Sequence, residues 1–175
     1  MPMSGIDVFI QSWDQEAERT DRLLKALPRD KYDFRPDAGG RSIGEMAWHL
    51  AELDGCVSYA LETGKFDFND KVPGLERPRT VEALAPGYKK VHADAVARIR
   101  KLTDKDLDRE VVFFTGDKMP IRRILWDATL HHSIHHRGAL ALMCRLAGGV
   151  SPGIYGPNRE EMAAMMAAMK AGASR

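Results

Sequence analysis

Apolar residues recur at steps of three and four along several long stretches of the chain, the spacing that places them on one face of a helix. The first stretch begins at Ile6 and ends before Pro28, a residue that cannot continue a helix. The second follows a polar loop, and its start carries Ser42 and Glu45 at the spacing of a capping box. Because the apolar spacing then continues to Gly64, the sequence predicts two long helices in this half of the chain.

A third helix is predicted where Thr80 can cap an apolar stripe that continues to Leu102. The stretch before it, 65–79, contains asparagine, glycine and proline at several positions and is expected to be a loop. After it, β-branched and aromatic residues at 110–114 precede a turn at 115–118. We therefore expect one helix here, followed by a short β-hairpin.

The fourth long helix is predicted to begin at Pro120, since proline suits a first helical turn, and to end near Leu146 before two glycines. After a loop rich in proline and glycine, Asn158 with Glu161 predicts the start of a last helix. That helix carries a row of four methionines: Met162, Met165, Met166 and Met169.

Each of the four long helices has one apolar stripe, and the most economical way to bury such stripes is to pack them against one another. No internal repeat or low-complexity linker divides the chain. The predicted fold is therefore an all-α, up-down four-helix bundle with an additional C-terminal helix, in a single domain over residues 1–175.

Composition excludes several classes of partner. The 26 lysine and arginine residues nearly balance 25 acidic residues, and the formal net charge of +1 gives no electrostatic reason to expect binding to nucleic acid or anionic membranes. No apolar run approaches the about 20 residues of a membrane-spanning helix, and the N-terminus lacks the pattern of a signal peptide. Cys56 and Cys144 form no CxxC pair, so free thiols in a reducing compartment are expected. These features predict a cytoplasmic protein.

Four of the six histidines fall within residues 131–136. A spacing of four places two imidazoles one above the other on a helix face, and two such pairs exist: His131 with His135, and His132 with His136. Steps of three, four and seven from the second pair meet only apolar residues, whereas the row of the first pair is mixed. The apolar row comprises Leu125, Ala128, Ala139, Leu140 and Met143. His132 and His136 are therefore predicted to face inward.

A third histidine on another helix strengthens this interpretation, because a lone pair often occurs on a helix surface by chance. His49 lies at the edge of the apolar stripe of the second helix, with Met46 and Leu53. Three neutral imidazoles from two helices would leave open coordination positions, as in catalytic metal sites, where water or a thiol can bind and lose a proton. The alternative is that these histidines are hydrogen-bonded polar groups in or near the core. For the isolated His92, a solvated or an ordinary packing role is expected rather than ligation.

Four carboxylates could accept the second N–H of a histidine or reach the metal: Glu45, Glu52, Asp54 and Asp127. Glu45 and Glu52 lie one turn either side of His49, but Glu45 also has the predicted capping role. Simple exposure to solvent is the alternative for all four. No motif identifies a catalytic acid or base, so catalytic and cofactor-binding residues are not assigned.

Several motifs carry a resemblance to a known family. The segment His-His-Ser-Ile-His-His-Arg-Gly at 131–138 and the segment Arg-Ser-Ile-Gly-Glu-Met-Ala-Trp-His-Leu-Ala at 41–51 resemble the DinB-like metalloenzymes. This DinB/YfiT-like family is the DNA-damage-induced group of four-helix bundles, distinct from the translesion polymerase of the same name. Residues 33–36 and 153–156 also resemble its members, and the similarity covers most of residues 6–157.

The resemblance implies an up-down bundle with a long crossover connection, often dimeric, and places the metal ligands on His49, His132 and His136. It implies zinc or nickel as the metal. The better-understood relatives are a maleylpyruvate isomerase and thiol-dependent S-transferases that use mycothiol or bacillithiol, which implies a small-molecule substrate and a low-molecular-weight thiol. The extra C-terminal domain of some relatives is not expected here, and Ala139 stands where the family usually has glutamine.

Two hypotheses about function follow. In the first, the protein is an enzyme whose metal activates a thiol or water for transfer or hydrolysis on a small molecule. In the second, it is a stress-related bundle that binds a metal or ligand without turnover.

We also expect a homodimer through bundle faces, because Phe9, Trp13 and the methionine row present much apolar surface. The alternative is that the last helix packs back over its own bundle.

Overall fold

The predicted helices are present in the computed structural model, which describes residues 3–67 and 69–173. The first three are α1 (Gly5–Lys25), α2 (Ile43–Thr63) and α3 (Val81–Ile99). The fourth, α4, is continuous over 121–146, and the last, α5, spans Arg159–Ala173. Residue 68 and the ends of the predicted domain, residues 1–2 and 174–175, lie outside the described residues.

The short β-hairpin between α3 and α4 is confirmed. Its strands are β1 (Glu110–Val112) and β2 (Lys118–Pro120), paired antiparallel with Val111 opposite Met119. Gly116 in the connecting turn has φ 87°, a conformation that glycine adopts without strain.

Two predicted capping boxes are confirmed. At the start of α2, the Glu45 backbone N–H donates to the Ser42 hydroxyl at 3.2 Å, and the Ser42 N–H donates to the Glu45 carboxylate at 2.9 Å. Asn158 and Glu161 make the same reciprocal pair before α5, at 2.7 and 2.9 Å. Gly64 ends α2 in the left-handed conformation, with φ 76°.

Two details of the helices differ from the prediction. Thr80 occupies the N-cap position of α3, but its side chain makes no capping hydrogen bond. Helix α4 is not α-helical throughout: Ile121–Arg123 and His132–Leu146 are α-helical, whereas Ile124–His131 between them is π-helical. The wider π turn ends directly before His132, the first histidine of the predicted inward pair.

Helices α2 and α3 run parallel. The His92 imidazole of α3 contacts Asp54 of α2 at 2.8 Å, and further toward the C-terminal end of both helices Arg98 of α3 donates to Ser58 of α2 at 3.4 Å. Two consecutive helices can run parallel only if a long connection returns the chain, and the loop at 64–80 does so. This loop is the long crossover connection that the family resemblance implied.

Helix α1 runs antiparallel to α3, and α4 runs parallel to α1. Asp14 of α1 contacts His92 of α3 at 3.0 Å, while Arg137 and Cys144 of α4 reach the backbone of α1 at Glu16 and Ala26. The four helices therefore run up, down, down and up. The predicted all-α bundle is confirmed, with α2 packed between α3 and α4.

The start of α2 is fixed by the crossover loop. The indole of Trp48, which is buried in the core, donates to the Leu75 carbonyl at 3.0 Å, and the Tyr32 hydroxyl donates to the Pro78 carbonyl at 2.5 Å. The Tyr32 ring also lies so close to Gly44 that a Cβ there would overlap it. These contacts hold the turn of α2 that carries His49, the residue after Trp48.

None of the helices in the described part of the chain is long and apolar enough to cross a membrane.

Candidate metal centre

The structure brings the three predicted histidines together. His49 projects from α2 toward His132 and His136 on α4, and one ring nitrogen of each lies within 4.8 Å of those of the other two. The His49 ring centroid is 5.8 Å from that of His132 and 4.7 Å from that of His136. The Nε2 atoms of His132 and His136 are 2.8 Å apart. Three nitrogen donors from two helices thus point to one position.

Two of the rings are held through their other nitrogen. The Glu52 carboxylate lies 3.1 Å from Nδ1 of His49, and the backbone carbonyl of Ala128 accepts a hydrogen bond from His132. Such contacts fix the tautomer and the orientation of a metal-binding imidazole. The Nε2 atom of His132 faces Nε2 of His136.

Burial and mutual repulsion favour the neutral imidazoles. Desolvation, followed by the charge of His49, lowers the pKa of His132. The same two causes, with further repulsion from His132, lower the pKa of His136 to about 4. At neutral pH both rings therefore offer a lone pair rather than a second proton, which is the form that binds a metal.

The other histidine pair lies on the outer face of α4, as predicted. His131 is exposed and pairs with Asp127 at 3.3 Å, and His135 is exposed beside it. The predicted inward position is only partly correct for the pair at the site: His136 is half-buried and His132 is exposed, because Ser133 and Arg137 occupy the buried positions next to them. The site is therefore open to solvent on one side.

Of the four candidate carboxylates, only Glu52 contacts the site. The Glu45 carboxylate caps α2 and pairs with Arg35 at 2.7 Å, and these contacts lower its pKa to about 2. Asp54 is fully buried and accepts hydrogen bonds from Trp13 and His92. Asp127 pairs with Arg123 and His131 on the outer face. The contacts of these three carboxylates lie elsewhere, so they do not support the hypothesis that Glu45, Asp54 or Asp127 serves the site.

Arg137 is a structural residue that the sequence reasoning did not single out. It is 2% exposed, and its guanidinium donates to the Glu16 carbonyl at 2.8 Å, to the Tyr155 hydroxyl at 2.6 Å and to the Glu16 carboxylate. It thereby ties α4 to α1 directly beside His136. The signal available in the sequence was its place directly after His136 in the segment 131–138, which carries the family resemblance.

The fold and the site together define the class of protein: a four-helix bundle in which three histidines from two helices converge on one position that could hold a metal ion. The chain belongs to the DinB family, whose pattern it matches over residues 1–171. This confirms the resemblance found in the sequence.

Individual relatives agree with that assignment. The chain is 30% identical to the uncharacterized protein YrdA of Bacillus subtilis over 161 residues, which is 90% of this chain and 92% of YrdA. It superimposes on a DinB-like protein from Bacillus cereus with a TM-score of 0.69 and 32% identity, covering 84% of this chain and 95% of that one. YfiT from Bacillus subtilis, a probable metal-dependent hydrolase with an unusual four-helix bundle topology, shares the fold with a TM-score of 0.65, 16% identity, and 84% and 91% coverage.

Proposed function

We propose that this protein is a metal-dependent enzyme in which His49, His132 and His136 hold a divalent metal ion. When bound there, the ion would supply the activation of a thiol or a water molecule for transfer to, or hydrolysis of, a small molecule. The observation that carries the proposal is the convergence of one nitrogen from each of three histidines, within 4.8 Å of one another, at a position open to solvent.

The donor set fits a divalent transition metal. Imidazole nitrogen suits zinc, nickel and related ions, and three ligands leave at least one position for an exchangeable group. A metal bound in this way lowers the pKa of a coordinated water or thiol, so that the nucleophile forms near neutral pH. We propose zinc or nickel as the ion and a low-molecular-weight thiol or water as the activated group.

The surrounding residues have supporting roles in this proposal. Glu52 orients the His49 ring, and the Ala128 carbonyl orients that of His132. The exposed edge of His132 leaves a path for a small molecule from solvent. The description of YfiT as a probable metal-dependent hydrolase agrees with this function, although YfiT shares only the fold with this chain.

Metal content of protein purified without an affinity tag tests the ligand set. His49→Ala, His132→Ala and His136→Ala should each lose most of the stoichiometric metal, because two imidazoles alone form a weak site. His131→Ala and His135→Ala are matched controls on the same helix and should retain it. Circular dichroism establishes that each variant is folded. Equal loss from both pairs, or full occupancy in folded His49→Ala, would contradict the proposed site.

Turnover separates the enzyme from a bundle that only binds metal. The metal-loaded protein should act on members of a panel that combines thiols with small electrophiles and esters, and metal removal should abolish that activity. Stoichiometric metal without an exchangeable ligand, together with no turnover on the whole panel, would favour the non-catalytic alternative.

A further inference from the structure

Helix α5 carries an apolar face that nothing in the described part of the chain covers. The face consists of four methionines that are 45–73% exposed: Met162, Met165, Met166 and Met169. They follow the spacing i, i+3, i+4 and i+7, which is that of the anchor residues of a helix that docks on an apolar surface. Every position from 161 to 172 is exposed, although a helix of 15 residues is only marginally stable alone in water. We therefore expect another surface to cover this methionine face.

A second uncovered apolar face lies on the outer side of α4. Leu142 and Leu146, one turn apart, are 61% and 57% exposed, and Val150 in the following loop is 53% exposed. Gly138, one turn before Leu142, is also exposed, and a Cβ added to it would have no neighbour within 4 Å. This leucine face is about 12 Å long from Gly138 to Leu146, and the methionine face is about 11 Å long. The two faces therefore match in length.

Contacts at the start of α5 hold it at the end of α4. The Arg145 guanidinium donates to both carboxylate oxygens of Glu160, at 2.9 and 2.7 Å, and the Asn158 side chain donates to the Ser151 carbonyl at 2.8 Å. Among the described residues, α5 does not pack along α4 beyond this point, and the leucine face stays exposed. The last helix of a chain thus leaves the leucine face of the same chain open.

The chemistry of both faces favours a second copy of this chain as the partner. Residues 162–169 are only methionine and alanine, and the one charged residue in 138–150 is Arg145, which Glu160 neutralises. Neither face therefore offers charge to an ionic partner. Together they expose roughly 700 Å² per chain, close to the about 800 Å² that each partner buries in a standard interface. A twofold pair would cover both faces of both copies at once.

We infer that two copies of this chain dock their last helices on one another, with the methionine face of each α5 against the leucine face of the partner's α4. The inference goes beyond a homodimer as such, because it names the two surfaces in contact. The competing arrangement places α5 against α5 and leaves the leucine face uncovered. The inference does not depend on the metal proposed at the three histidines.

Light scattering of two complementary variants of the full chain tests this arrangement. One variant combines Leu142→Lys with Leu146→Lys, and the other combines Met165→Glu with Met166→Glu. Each variant alone should give the chain mass of 19.5 kDa at micromolar concentration, because charge then opposes an apolar face in both contacts. An equimolar mixture should recover twice that mass. In the mixed pair, one contact joins lysines to glutamates and the other is that of the wild type.

The control combines Val8→Lys with Val112→Lys, two exposed apolar positions in α1 and β1, at the opposite end of the bundle. It should keep the dimer mass of the wild type, and circular dichroism establishes that every variant is folded. A lysine variant that stays dimeric while the glutamate variant is monomeric would overturn the inference in favour of α5 against α5. A mixture that stays monomeric, a monomeric control or a monomeric wild type would also overturn it. Metal content tests the proposed function separately, so the two claims can fail independently.

Discussion

His92 occupies a different position from the three site histidines. It is buried between two carboxylates, with Nδ1 2.8 Å from Asp54 and Nε2 3.0 Å from Asp14, and its ring meets the Trp13 ring edge-on at 4.7 Å. The indole of Trp13 completes the cluster by donating to Asp54 at 3.1 Å. This cluster joins α1, α2 and α3 across the interior. It confirms that His92 has a packing role rather than a ligating one.

The position of His92 predicts a pH-dependent contribution to stability. Desolvation is the largest single influence and lowers its pKa, but the hydrogen bonds and charges of Asp54 and Asp14 together raise the pKa above 6.5. A group whose pKa is raised by folding stabilises the protein below its unfolded pKa, and the stabilisation is lost as pH rises through the folded value. The free energy of unfolding of wild type relative to His92→Gln should therefore be largest below pH 6.5 and decrease as the pH rises above that value. Urea unfolding of both proteins at several pH values measures this difference in the free energy of unfolding. A difference that instead grows as the pH rises would show that His92 is neutral in the folded protein.

Residue spacing identified the three site histidines but could not rank the four carboxylates. The choice of His132 and His136 depended only on the helical period of one segment, which the sequence contains. The partner of Glu45 is Arg35, in the preceding loop, and that of Asp54 is His92, on another helix. Such partners are set by tertiary packing, so sequence spacing alone leaves Glu52 no better a candidate than the others.

At the scale of elements, α4 depends on contacts with α1 for its position. Arg137 and Glu16 form a buried ion pair there, and the Tyr155 hydroxyl donates to the Glu16 carboxylate at 2.7 Å from the loop before α5. Breaking a buried pair leaves an uncompensated charge, which is more costly than removing an exposed pair. The pair therefore stabilises the segment that carries His136.

We expect Arg137→Ala to lower the free energy of unfolding by about 3–5 kcal/mol. Arg123→Ala is a matched control on the same helix, because its ion pair with Asp127 is exposed and contributes less than about 1 kcal/mol. Urea denaturation of both variants gives the comparison. Equal effects of the two substitutions would contradict a stabilising role for the buried pair.

Periodicity and capping residues predicted the ends of the helices to within a few residues, since both signals are local. The π-helical turn in α4 was not predicted, because apolar spacing does not distinguish one widened turn from a regular one over so short a segment. The directions of α2 and α3 were also not available from periodicity. They depend on where the loop at 64–80 docks. That position is fixed by the hydrogen bond from Trp48 to the Leu75 carbonyl, which joins residues 27 positions apart in the sequence.

At the scale of the whole molecule, only part of the apolar surface that was expected to form a dimer is exposed. Phe9 and Trp13 are 0% and 2% exposed, so they belong to the core of a single chain and cannot motivate an interface. The methionines of α5 remain exposed, and among the described residues α5 does not pack along the bundle. The alternative in which the last helix covers its own bundle is therefore wrong.

We propose that the α5 methionines form a homodimer contact. Light scattering at micromolar concentration and high salt should give twice the chain mass of 19.5 kDa. Replacing both Met165 and Met166 with glutamate should give the monomer mass, because charge on a buried apolar face opposes association. Met3→Glu is the control, since Met3 is also exposed but lies at the other end of the chain. A wild-type mass of 19.5 kDa would exclude this dimer.

The central claim is that His49, His132 and His136 form one metal site, and anomalous diffraction at the metal absorption edge tests it most directly. Crystals of the tag-free protein grown with zinc or nickel should show one strong peak per chain, with a nitrogen of each of the three histidines about 2.0–2.1 Å away. A peak bound by His131 and His135 instead, or no peak at the three histidines while the metal is bound elsewhere, would contradict the account.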